Sequence, residues 1–444
     1  MIKLKNSKIF VLGMARSGYE VSKYLSKYDN EIIVTDAKEQ ESSKVQELES
    51  LGIKVVITDK PEELLNNTYN VVIKNPGIKY TNPLIVKANS LSIPVINEVE
   101  AASYFFPENL QVIGVTGSNG KTTTTNLINE MLKAAGKKVI MAGNMGIPVC
   151  SILNDLDSDT ILLLEISIQQ LCNMNHFKTN VSVLTNLTPT HIDFLDTYEN
   201  YKNTKKRIFN NHTDKDIAIL NLNNNDEIEL TKDIKSHKVY FSSSCNTDIC
   251  INDDYITYFG EKIIKLEDIK LQGMHNYENA CCAIGAVKHY NVDNAAIIKV
   301  LKEFGGVEHR LEYVRTLNNV EYYNDSKATN TVSTTIALKA FNKPTILIMG
   351  GLDRGHSFEP LNDYMKNVKL VVCYGQTKNR IEKWADSLNI AVKVVDNLHD
   401  ATMYANSKAL SGDVILLSPA CASWDQYKCF EDRGTEYKTI VNGL

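Results

Sequence analysis

Gly114-Val115-Thr116-Gly117-Ser118-Asn119-Gly120-Lys121-Thr122 is the stretch that decides how this chain folds. It follows the apolar run Val112 to Val115 and precedes a helix-forming run from Thr122 to Ala135, which predicts a strand, a glycine-rich loop and a helix. Such a loop points its backbone N–H groups at phosphate oxygens. Lys121 would reach the β- and γ-phosphates of a nucleotide, and Thr122 would offer its hydroxyl to Mg²⁺. A glycine-rich turn without a ligand is the weaker alternative.

The composition is that of a globular protein with several domains. The chain has 444 residues, 43% of them hydrophobic and 23% charged, and a formal net charge of -5. At about 150 residues per domain, this length predicts about three domains. Charges of both signs are interspersed along the chain, which argues against a nucleic-acid partner, because such proteins concentrate basic residues on one surface.

The sequence shows neither a membrane span nor a cysteine framework. No apolar run reaches the ~20 residues that a spanning helix needs, and the first residues lead into a short strand, not into the apolar core of a secretion signal. We therefore expect a cytoplasmic protein with no membrane partner. Nine cysteines occur without a C-x-x-C pair, so we expect reduced cysteines in the core, with no zinc motif and no disulfides.

Residues 1–99 are predicted to form an N-terminal Rossmann-like α/β domain. A strand at Lys8 to Leu12 leads through the turn Gly13 to Gly18 into a helix, and a second strand, Glu31 to Thr35, ends at Asp36. An acidic residue about twenty positions after such a turn is placed to bind a ribose hydroxyl. The turn lacks the central glycine of G-x-G-x-x-G, so this fingerprint is weak by itself.

A second turn, Asn75 to Ile78, follows the apolar strand Val71 to Lys74. Its N–H groups could bind a phosphate, or it could be a plain tight turn between a strand and a helix. The spacing alone favours the plain turn.

Residues 100–307 are predicted to form a central domain with a parallel sheet of the P-loop ATPase type. Apolar runs alternate with helical stretches there, and these runs are 138–141, 160–165, 181–184 and 216–220. Functional groups gather at the carboxyl ends of parallel strands, where Asn144, Glu165 and His191 are placed. A carboxylate at Glu165 suits Mg²⁺, which prefers oxygen ligands, whereas an exposed structural glutamate is the alternative.

Residues 308–444 are predicted to form a C-terminal Rossmann-like domain. Its strands, Pro344 to Met349, Leu370 to Tyr374 and Val414 to Leu417, again end in polar or glycine-containing turns.

Two residues of the central domain, His191 and Lys205, carry little information when each is taken singly. Such residues are more often a surface histidine and part of a solvated helix face. Their order along the chain is more informative than either residue.

The full set of motifs resembles the Mur ligases of peptidoglycan synthesis, over essentially the whole chain. The motifs that carry the resemblance are Gly114 to Thr122, Gly143-Asn144-Met145-Gly146, Glu165, His191, Lys205, His275 to Asn279, His309-Arg310 and Asn324 to Asn330. Within the family, the runs Asn324 to Asn330 and Ser418 to Gly434 look like the branch that adds D-glutamate. A sibling branch that adds another amino acid shares the nucleotide motifs and stays an alternative.

The resemblance implies an ATP-dependent ligase, a monomer, with UDP-N-acetylmuramoyl-L-alanine and D-glutamate as its small-molecule substrates. The substrate carboxylate would attack the γ-phosphate of ATP, and the D-glutamate amine would open the resulting acyl phosphate to form an amide. Two Mg²⁺ sites are implied. In the family the lysine that matches Lys205 carries a CO₂-derived carbamate, which would turn it into an oxygen ligand.

The resemblance also assigns roles to individual residues. The implied ATP contacts are Gly117, Ser118, Asn119, Gly120, Lys121, Thr122, Thr123, Asn276, Asn279, Arg310, Asp325 and Lys327. The implied metal ligands are Thr122, Glu165, His191 and carbamylated Lys205, which together with Lys121 form the catalytic set. The implied contacts to the UDP-substrate are Arg16, Asp36, Lys38, Asn75, Gly77, Asn144, Ser167 and Gln170. Those to D-glutamate are Thr329, Arg354, Ser423 and Phe430.

Three other classes fit less of the sequence. Folylpolyglutamate synthases share the central architecture but not the run from Pro419 to Gly434. A P-loop switch that signals to a partner needs neither a third domain nor Lys205. A non-catalytic dinucleotide sensor would rest on the weak Gly13 to Gly18 fingerprint alone.

Overall fold

A computed structural model describes residues 2–189, 195–243, 247–252 and 254–444. They form two compact units, Met1–Phe304 and Gly305–Leu444. The first unit contains two α/β sheets and the second contains one. The α/β class and the three sheets match the expectation from the sequence, whereas the boundaries at 99/100 and 307/308 stay predictions.

The first sheet is parallel throughout, in the order β3-β2-β1-β4-β5. Its strands are β1 (Lys8–Leu12), β2 (Glu31–Asp36), β3 (Lys54–Ile57), β4 (Val71–Lys74) and β5 (Val95–Ile96). Because the strands are parallel, β1, β2 and β4 end at one edge, which brings the turn after β1 next to Asp36 and the turn after β4.

The second sheet has the order β14-β13-β12-β11-β10-β9-β6-β8-β7. Its strands are β6 (Gln111–Thr116), β7 (Val139–Gly143), β8 (Ile161–Glu165), β9 (Val181–Leu184), β10 (Ile217–Asn221), β11 (His237–Ser242), β12 (Ile249–Ile251), β13 (Tyr255–Tyr258) and β14 (Glu261–Lys265). Strands β6 to β12 run parallel. Of these, β6 to β10 were predicted from the sequence, whereas β11 and β12 were not. An antiparallel extension, β13 and β14, which the sequence analysis did not predict, follows at one edge.

The sheet of the second unit has the order β15-β16-β20-β17-β18-β19. Its strands are β15 (Glu312–Leu317), β16 (Val320–Asn324), β17 (Thr345–Gly350), β18 (Val368–Tyr374), β19 (Ala391–Val394) and β20 (Val414–Leu417). Only the β15–β16 hairpin is antiparallel. Strands β16, β20, β17 and β18 therefore end at the same edge.

Helices cover these sheets. Those of the first unit are α1 (Arg16–Leu25), α2 (Ser42–Ser50), α3 (Pro83–Ser90), α4 (Glu98–Ser103), α5 (Lys121–Ala134), α6 (Val149–Ile152), α7 (Ile168–Leu171), α8 (Tyr198–Lys206), α9 (Asn225–Leu230), α10 (Met274–Lys288) and α11 (Asn294–Glu303). Those of the second are α12 (Thr331–Lys339), α13 (Lys378–Ser387), α14 (Leu398–Lys408) and α15 (Phe430–Asn442). Short 3-10 turns lie at Ser26–Tyr28, Pro61–Leu64, Leu153–Asp155, Arg207–Phe209, Leu266–Asp268 and Glu359–Tyr364.

Side-chain caps and apolar strands account for much of this local structure. Asn82, Thr197 and Asn330 each accept a hydrogen bond from the first turn of the helix that follows, which satisfies a backbone N–H that has no partner within the helix. The central strands are buried on both faces, as their near-continuous apolar sequences predict.

The cysteines that the structure describes are free, and all but Cys429 are buried. No described helix has the length and apolar character to cross a bilayer.

Candidate active site

The predicted phosphate loop joins β6 to α5. Gly117 and Gly120 have φ of +149° and +78°, a region that favours glycine. A Cβ on Gly117 would lie 1.9 Å from Thr185 Oγ1, and one on Gly120 would lie 2.1 Å from Asn279 Oδ1. Both glycines are therefore required by backbone conformation and by close packing.

The segment after β9 is hydrogen-bonded to this phosphate loop. Thr185 Oγ1 donates to the Asn119 carbonyl at 2.5 Å, and the Asn119 N–H donates to Asn186 Oδ1 at 2.9 Å. The Thr188 N–H donates to Ser118 Oγ at 2.9 Å. Thr185, Asn186 and Thr188 were not predicted from the sequence, although their position after a parallel strand next to β6 was an available signal.

Two lysine side chains converge on one carbonyl of the loop. Lys121 Nζ donates to the carbonyls of Gly117 and Ser118 at 2.8 and 2.9 Å. Lys205 Nζ, which comes from α8, donates to the same Gly117 carbonyl at 3.0 Å and to Thr116 Oγ1 at 2.8 Å. The structure thus brings together two predicted catalytic residues that are 84 positions apart in the sequence.

The Lys205 amine is an unusual group to find in a protein interior. The residue is 1% exposed. Burial, with the positive charge of Lys121 as a second cause, holds the pKa of Lys205 well below its usual value, while Glu165 opposes the shift. The shift increases the fraction of neutral amine, which has the lone pair that a nucleophile needs.

Glu165 ends β8 beside the loop and is 2% exposed. Asn144 donates to it twice, from its side chain to Glu165 Oε1 at 2.7 Å and from its backbone N–H to the Glu165 carbonyl at 2.8 Å. Glu165 Oε2 is buried and has no hydrogen-bond partner in the described part of the chain. An unsatisfied buried carboxylate oxygen fits a metal ligand, because leaving it unpaired would otherwise be costly.

Thr122 is buried in the first turn of α5, and Thr123 follows it half-buried. Thr122, Glu165 and Lys205 are the predicted metal ligands that can be located. His191 lies outside the described residues. Across 2–189, 195–243, 247–252 and 254–444, no group of three or more His, Cys, Asp or Glu could hold a metal. The predicted set includes a threonine and a lysine, so it is not a site of that type.

Two of the predicted ATP contacts, Asn276 and Asn279, lie on α10, which packs against α5. Asn279 is buried, and its Oδ1 accepts from Thr124 Oγ1 at 3.3 Å, so it adjoins Gly120. Asn276 lies one turn earlier and donates from its side chain to the Gln272 carbonyl at 2.9 Å. The structure brings Asn279 to the phosphate loop and leaves Asn276 at the start of the helix.

The predicted UDP contacts in the first sheet cluster at the turn after β1. Asp36 accepts from the backbone N–H groups of Met14 at 2.8 Å and of Lys38 at 3.0 Å. A Cβ on Gly13 would lie 2.5 Å from Asn75 Nδ2. Arg16 donates to the Gly146 carbonyl at 3.3 Å, which links this turn to the loop that contains Asn144. The exposed Lys38 and Gly77 lie at the same edge.

The turn at Asn75 to Ile78 is closed around a buried lysine. The Ile78 N–H donates to the Asn75 carbonyl at 3.1 Å, as in a tight turn. Lys74, only 1% exposed, donates from Nζ to the carbonyls of Asn75, Pro76 and Ile78 at 3.3, 3.0 and 3.0 Å. Burial lowers the pKa of Lys74 to about 8. No sequence pattern had singled out this lysine.

Ser167 and Gln170 pair with each other at the start of α7. Gln170 Oε1 accepts from the Ser167 N–H at 2.9 Å, and the Gln170 N–H donates to Ser167 Oγ at 3.4 Å. This is a capping box. Their contact with the UDP-substrate stays a prediction.

In the second unit, the predicted residues gather where β16 and β20 end. Asp325 accepts from Ser418 Oγ at 2.8 Å and from the Leu311 N–H at 3.1 Å, and burial raises the pKa of its carboxyl to about 7. Lys327 Nζ lies 5.5 Å from the ring centroid of Phe430. A predicted ATP contact, Lys327, therefore lies next to a predicted D-glutamate contact, Phe430.

A fully buried arginine, Arg433 on α15, holds this edge together. It donates to Ser326 Oγ and the Ser326 carbonyl at 2.9 and 2.7 Å, and to the carbonyls of Cys421 and Gly350 at 3.1 and 3.4 Å. One guanidinium thereby joins the segments that follow β16, β17 and β20. No role was predicted for Arg433 from the sequence.

Three of the remaining predicted contacts lie on the same loops, and Arg310 precedes β15. Ser423 is 1% exposed, and its Oγ has no hydrogen-bond partner within residues 305–444. The exposed Arg354 stacks on Trp424. Thr329 is half-buried before α12, and Arg310 donates its backbone N–H to the Val307 carbonyl at 3.0 Å before β15.

Family models match three successive parts of the chain: the MurD-like N-terminal domain at residues 7–97, the Mur ligase middle domain at 115–287 and the Mur ligase glutamate ligase domain at 309–421. A UDP-N-acetylmuramoylalanine--D-glutamate ligase of Bacillus cereus (strain AH187) is 42% identical over 446 residues, which span 100% of this chain and 99% of the relative. The chain belongs to the Mur ligase family.

Solved structures show that this Mur ligase has the fold of its relatives. UDP-N-acetylmuramate-alanine ligase MurC from Thermotoga maritima has a TM-score of 0.58 at 18% identity and covers 98% of this chain and 99% of its own. MurF ligase from Thermotoga maritima, in complex with ADP, has a TM-score of 0.55 at 18% identity over 100% of both chains. At these identities the likeness supports the fold alone.

Proposed function

We propose that this Mur ligase is the cytoplasmic, ATP-dependent enzyme that joins D-glutamate to UDP-N-acetylmuramoyl-L-alanine in peptidoglycan precursor synthesis. The observation that carries the proposal is the convergence of Lys121 and Lys205 on the Gly117 carbonyl of a phosphate loop. The name of the Bacillus cereus relative supports the choice of substrates. We further propose that the protein acts as a monomer.

The reaction needs an activated carboxylate. The terminal carboxylate of UDP-N-acetylmuramoyl-L-alanine attacks the γ-phosphorus of ATP, the bond to the β-phosphate oxygen breaks, and ADP leaves. The amine of D-glutamate then attacks the acyl phosphate, loses a proton and expels orthophosphate. Both steps concentrate negative charge on phosphate oxygens, and Lys121 stabilises that charge from the loop.

The metal ligands that we propose are Thr122, Glu165, His191 and Lys205. When bound, Mg²⁺ would neutralise phosphate charge and orient the oxygens. The orphaned Glu165 Oε2 supports its role as a ligand. We propose that the Lys205 amine, which donates to Thr116 Oγ1 and the Gly117 carbonyl, takes up CO₂ with loss of one proton and, as a carbamate, would present oxygen to a metal.

The three ligands are proposed to bind at the carboxyl ends of the parallel strands in the three sheets. Arg16, Asp36 and Lys38 would contact the uridine end, with Asn75, Gly77 and Asn144 at the phosphates of the UDP-sugar. ATP would occupy residues 117–123, with contacts from Asn276, Asn279, Arg310, Asp325 and Lys327. D-Glutamate would contact Thr329, Arg354, Ser423 and Phe430.

The first test follows oxygen atoms. UDP-N-acetylmuramoyl-L-alanine labelled with ¹⁸O in its terminal carboxyl should transfer one label to orthophosphate for each amide formed. Phosphate release should also require both substrates in addition to ATP. Unlabelled orthophosphate, or nucleotide hydrolysis without the substrates, would contradict the proposal.

A panel of D- and L-amino acids tests the sibling alternative. We expect D-glutamate to give product with the highest kcat/KM. A clear preference for another amino acid would assign the chain to a different branch of the family.

The carbamate is tested by chemical rescue. A Lys205→Ala enzyme should lose synthesis and regain part of it in millimolar acetate or formate, because a small carboxylate can supply the missing oxygen. The matched control is Lys206→Ala, since Lys206 pairs with Asp233 on the exposed side of the same helix. It should keep full activity with no response to carboxylates. A folded Lys205→Ala enzyme that is not rescued would count against the carbamate.

A further inference from the structure

Arg354 and Trp424 form a stacked pair on the surface of the second unit. The guanidinium carbon lies 4.7 Å from the centroid of the indole ring, and Trp424 is 63% exposed. A planar guanidinium over an indole face is attracted by the ring quadrupole. The indole therefore restricts the orientations of an arginine side chain that would otherwise move freely at the surface.

A backbone bridge joins the two loops that carry these side chains. The Leu352 N–H donates to the Ala422 carbonyl at 2.8 Å in an isolated antiparallel bridge. Gly351 has φ +145°, and a Cβ there would lie 2.2 Å from the Ala422 oxygen, so the approach requires glycine. Arg354 and Trp424 each follow a residue of the bridge by two positions, on the two loops that the bridge joins.

The charge of Arg354 stays available to a ligand. The neighbouring Asp353 pairs with Arg380 and accepts from the Gly355 N–H at 2.8 Å. Within residues 305–444, no carboxylate forms an ion pair with Arg354. A guanidinium with an anchored neighbour, a stacking face and no counter-ion in its own unit is suited to bind an incoming carboxylate through two parallel hydrogen bonds.

A second observation points to a ligand at the same place. Ser423, directly before Trp424, is 1% exposed and has an Oγ without a partner in this unit. Buried hydroxyls are normally hydrogen-bonded. The unsatisfied hydroxyl and the stacked guanidinium lie on consecutive parts of one loop pair.

We propose that Trp424 is a positioning residue for the amino-acid substrate, whose indole face orients the Arg354 guanidinium to bind a carboxylate of D-glutamate. This inference rests on the proposed function. It goes beyond it by assigning Trp424, an exposed side chain that does not itself need to touch the substrate, to amino-acid recognition.

The test is a double-mutant cycle in the full-length enzyme, with ATP and UDP-N-acetylmuramoyl-L-alanine saturating and D-glutamate varied. Trp424→Leu removes the aromatic face, and Trp424→Phe keeps one. We expect Trp424→Leu to raise the KM for D-glutamate about three- to fivefold, with kcat and the KM for ATP within about twofold of the wild type. Trp424→Phe should stay within about twofold.

The same substitutions in an Arg354→Lys background isolate the stack. Lysine lacks the planar head group, so Trp424→Leu should change the KM for D-glutamate by less than about twofold there. Melting curves should coincide for all variants, since Trp424 is largely exposed.

Other outcomes separate the ways in which the inference could fail. An unchanged KM for D-glutamate in Trp424→Leu, an equal effect in both backgrounds, or a parallel rise in the KM of all substrates would overturn the positioning role while leaving the ligase function in place. An Arg354→Lys enzyme with an unchanged KM for D-glutamate would remove the basis of the inference. A wild-type enzyme that makes no product from D-glutamate would overturn the proposed function and the inference together.

Discussion

The phosphate-loop region of the first unit and the strand edge of the second each bury one cationic side chain, and the partners are of the same kind. Lys205 donates to one hydroxyl and one carbonyl. Arg433 donates to one hydroxyl and three carbonyls. These hydrogen bonds all go to neutral oxygens, although both side chains are at most 1% exposed.

The difference between the two lies in the head group. An ammonium can lose its proton when burial penalises its charge, and the pKa of Lys205 is lowered accordingly. A guanidinium stays charged in proteins and must be satisfied by acceptors in several directions. One region thus contains an amine with a lowered pKa, whereas the other contains a permanent cation that is hydrogen-bonded to several loops. Burial of a cation alone therefore does not indicate its role.

The largest expected effect comes from Lys205→Met. We expect synthesis to fall about 10³-fold, as when an electrostatic group is removed from an active site. The free energy of unfolding should stay within about 1 kcal/mol of the wild type or rise, because an apolar chain of similar length replaces a buried amine. Coupled phosphate assays and urea denaturation measure the two quantities. A large loss of stability would show that Lys205, like Arg433, has a structural role.

Arg433→Met should show the opposite pattern. It leaves the carbonyls of Ser326 and Cys421 without their donor, and we expect it to destabilise the second unit by about 3 kcal/mol or more. Both tryptophans of the chain, Trp384 and Trp424, lie in this unit, so their fluorescence during urea unfolding reports on it. Arg433→Lys is the control, and it should recover only part of the loss because an ammonium lacks the reach of the fork. An unfolding curve equal to that of the wild type would contradict the structural role of Arg433.

Lys74 adds a third buried cationic side chain to the comparison of Lys205 with Arg433. Its substitution should have the smallest effect of the three. Its pKa is about 8 in the folded chain and about 10.4 when unfolded, so between these values the unfolded state binds more protons. Stability should therefore rise with pH across this window, by about 2 to 3 kcal/mol relative to Lys74→Met. The control is Lys79→Met, an exposed lysine on the same turn. It should keep the slope of the wild type in urea denaturation from pH 8 to 10. Equal slopes in Lys74→Met and the wild type would mean that Lys74 titrates normally.

Much of the fold was predictable because its strands correspond to short, contiguous runs of apolar residues. The strands at Lys8–Leu12, Val71–Lys74 and Val414–Leu417 have the predicted bounds, since buried parallel strands are nearly continuous apolar runs. The antiparallel hairpin β13–β14 was not predicted. Its two strands have only four and five residues, and β13 is held at the sheet edge by pairing with β12.

Some residues of the candidate site could likewise be predicted from a local pattern, whereas others could not. Lys121 and Thr122 could be located from a single loop, because glycines, a lysine and a threonine at fixed spacing have one common physical use. Lys205 and Arg354 were assigned only through the family resemblance. Thr185, Lys74 and Trp424 received no role, because no local pattern distinguishes a residue that supports a site from one that merely packs beside it.

The sequence by itself determined the class of the fold, the phosphate loop and the edges of the sheets at which chemistry would gather, since these depend on periodicity and on glycine conformations that neighbouring residues encode. Tertiary structure alone decided which distant groups meet: the two lysines at the Gly117 carbonyl, the guanidinium of Arg433 across three loops and the indole under Arg354. The physical reason is that burial, pKa and hydrogen-bond partners depend on what surrounds an atom in space, and residues far apart in the chain supply those surroundings.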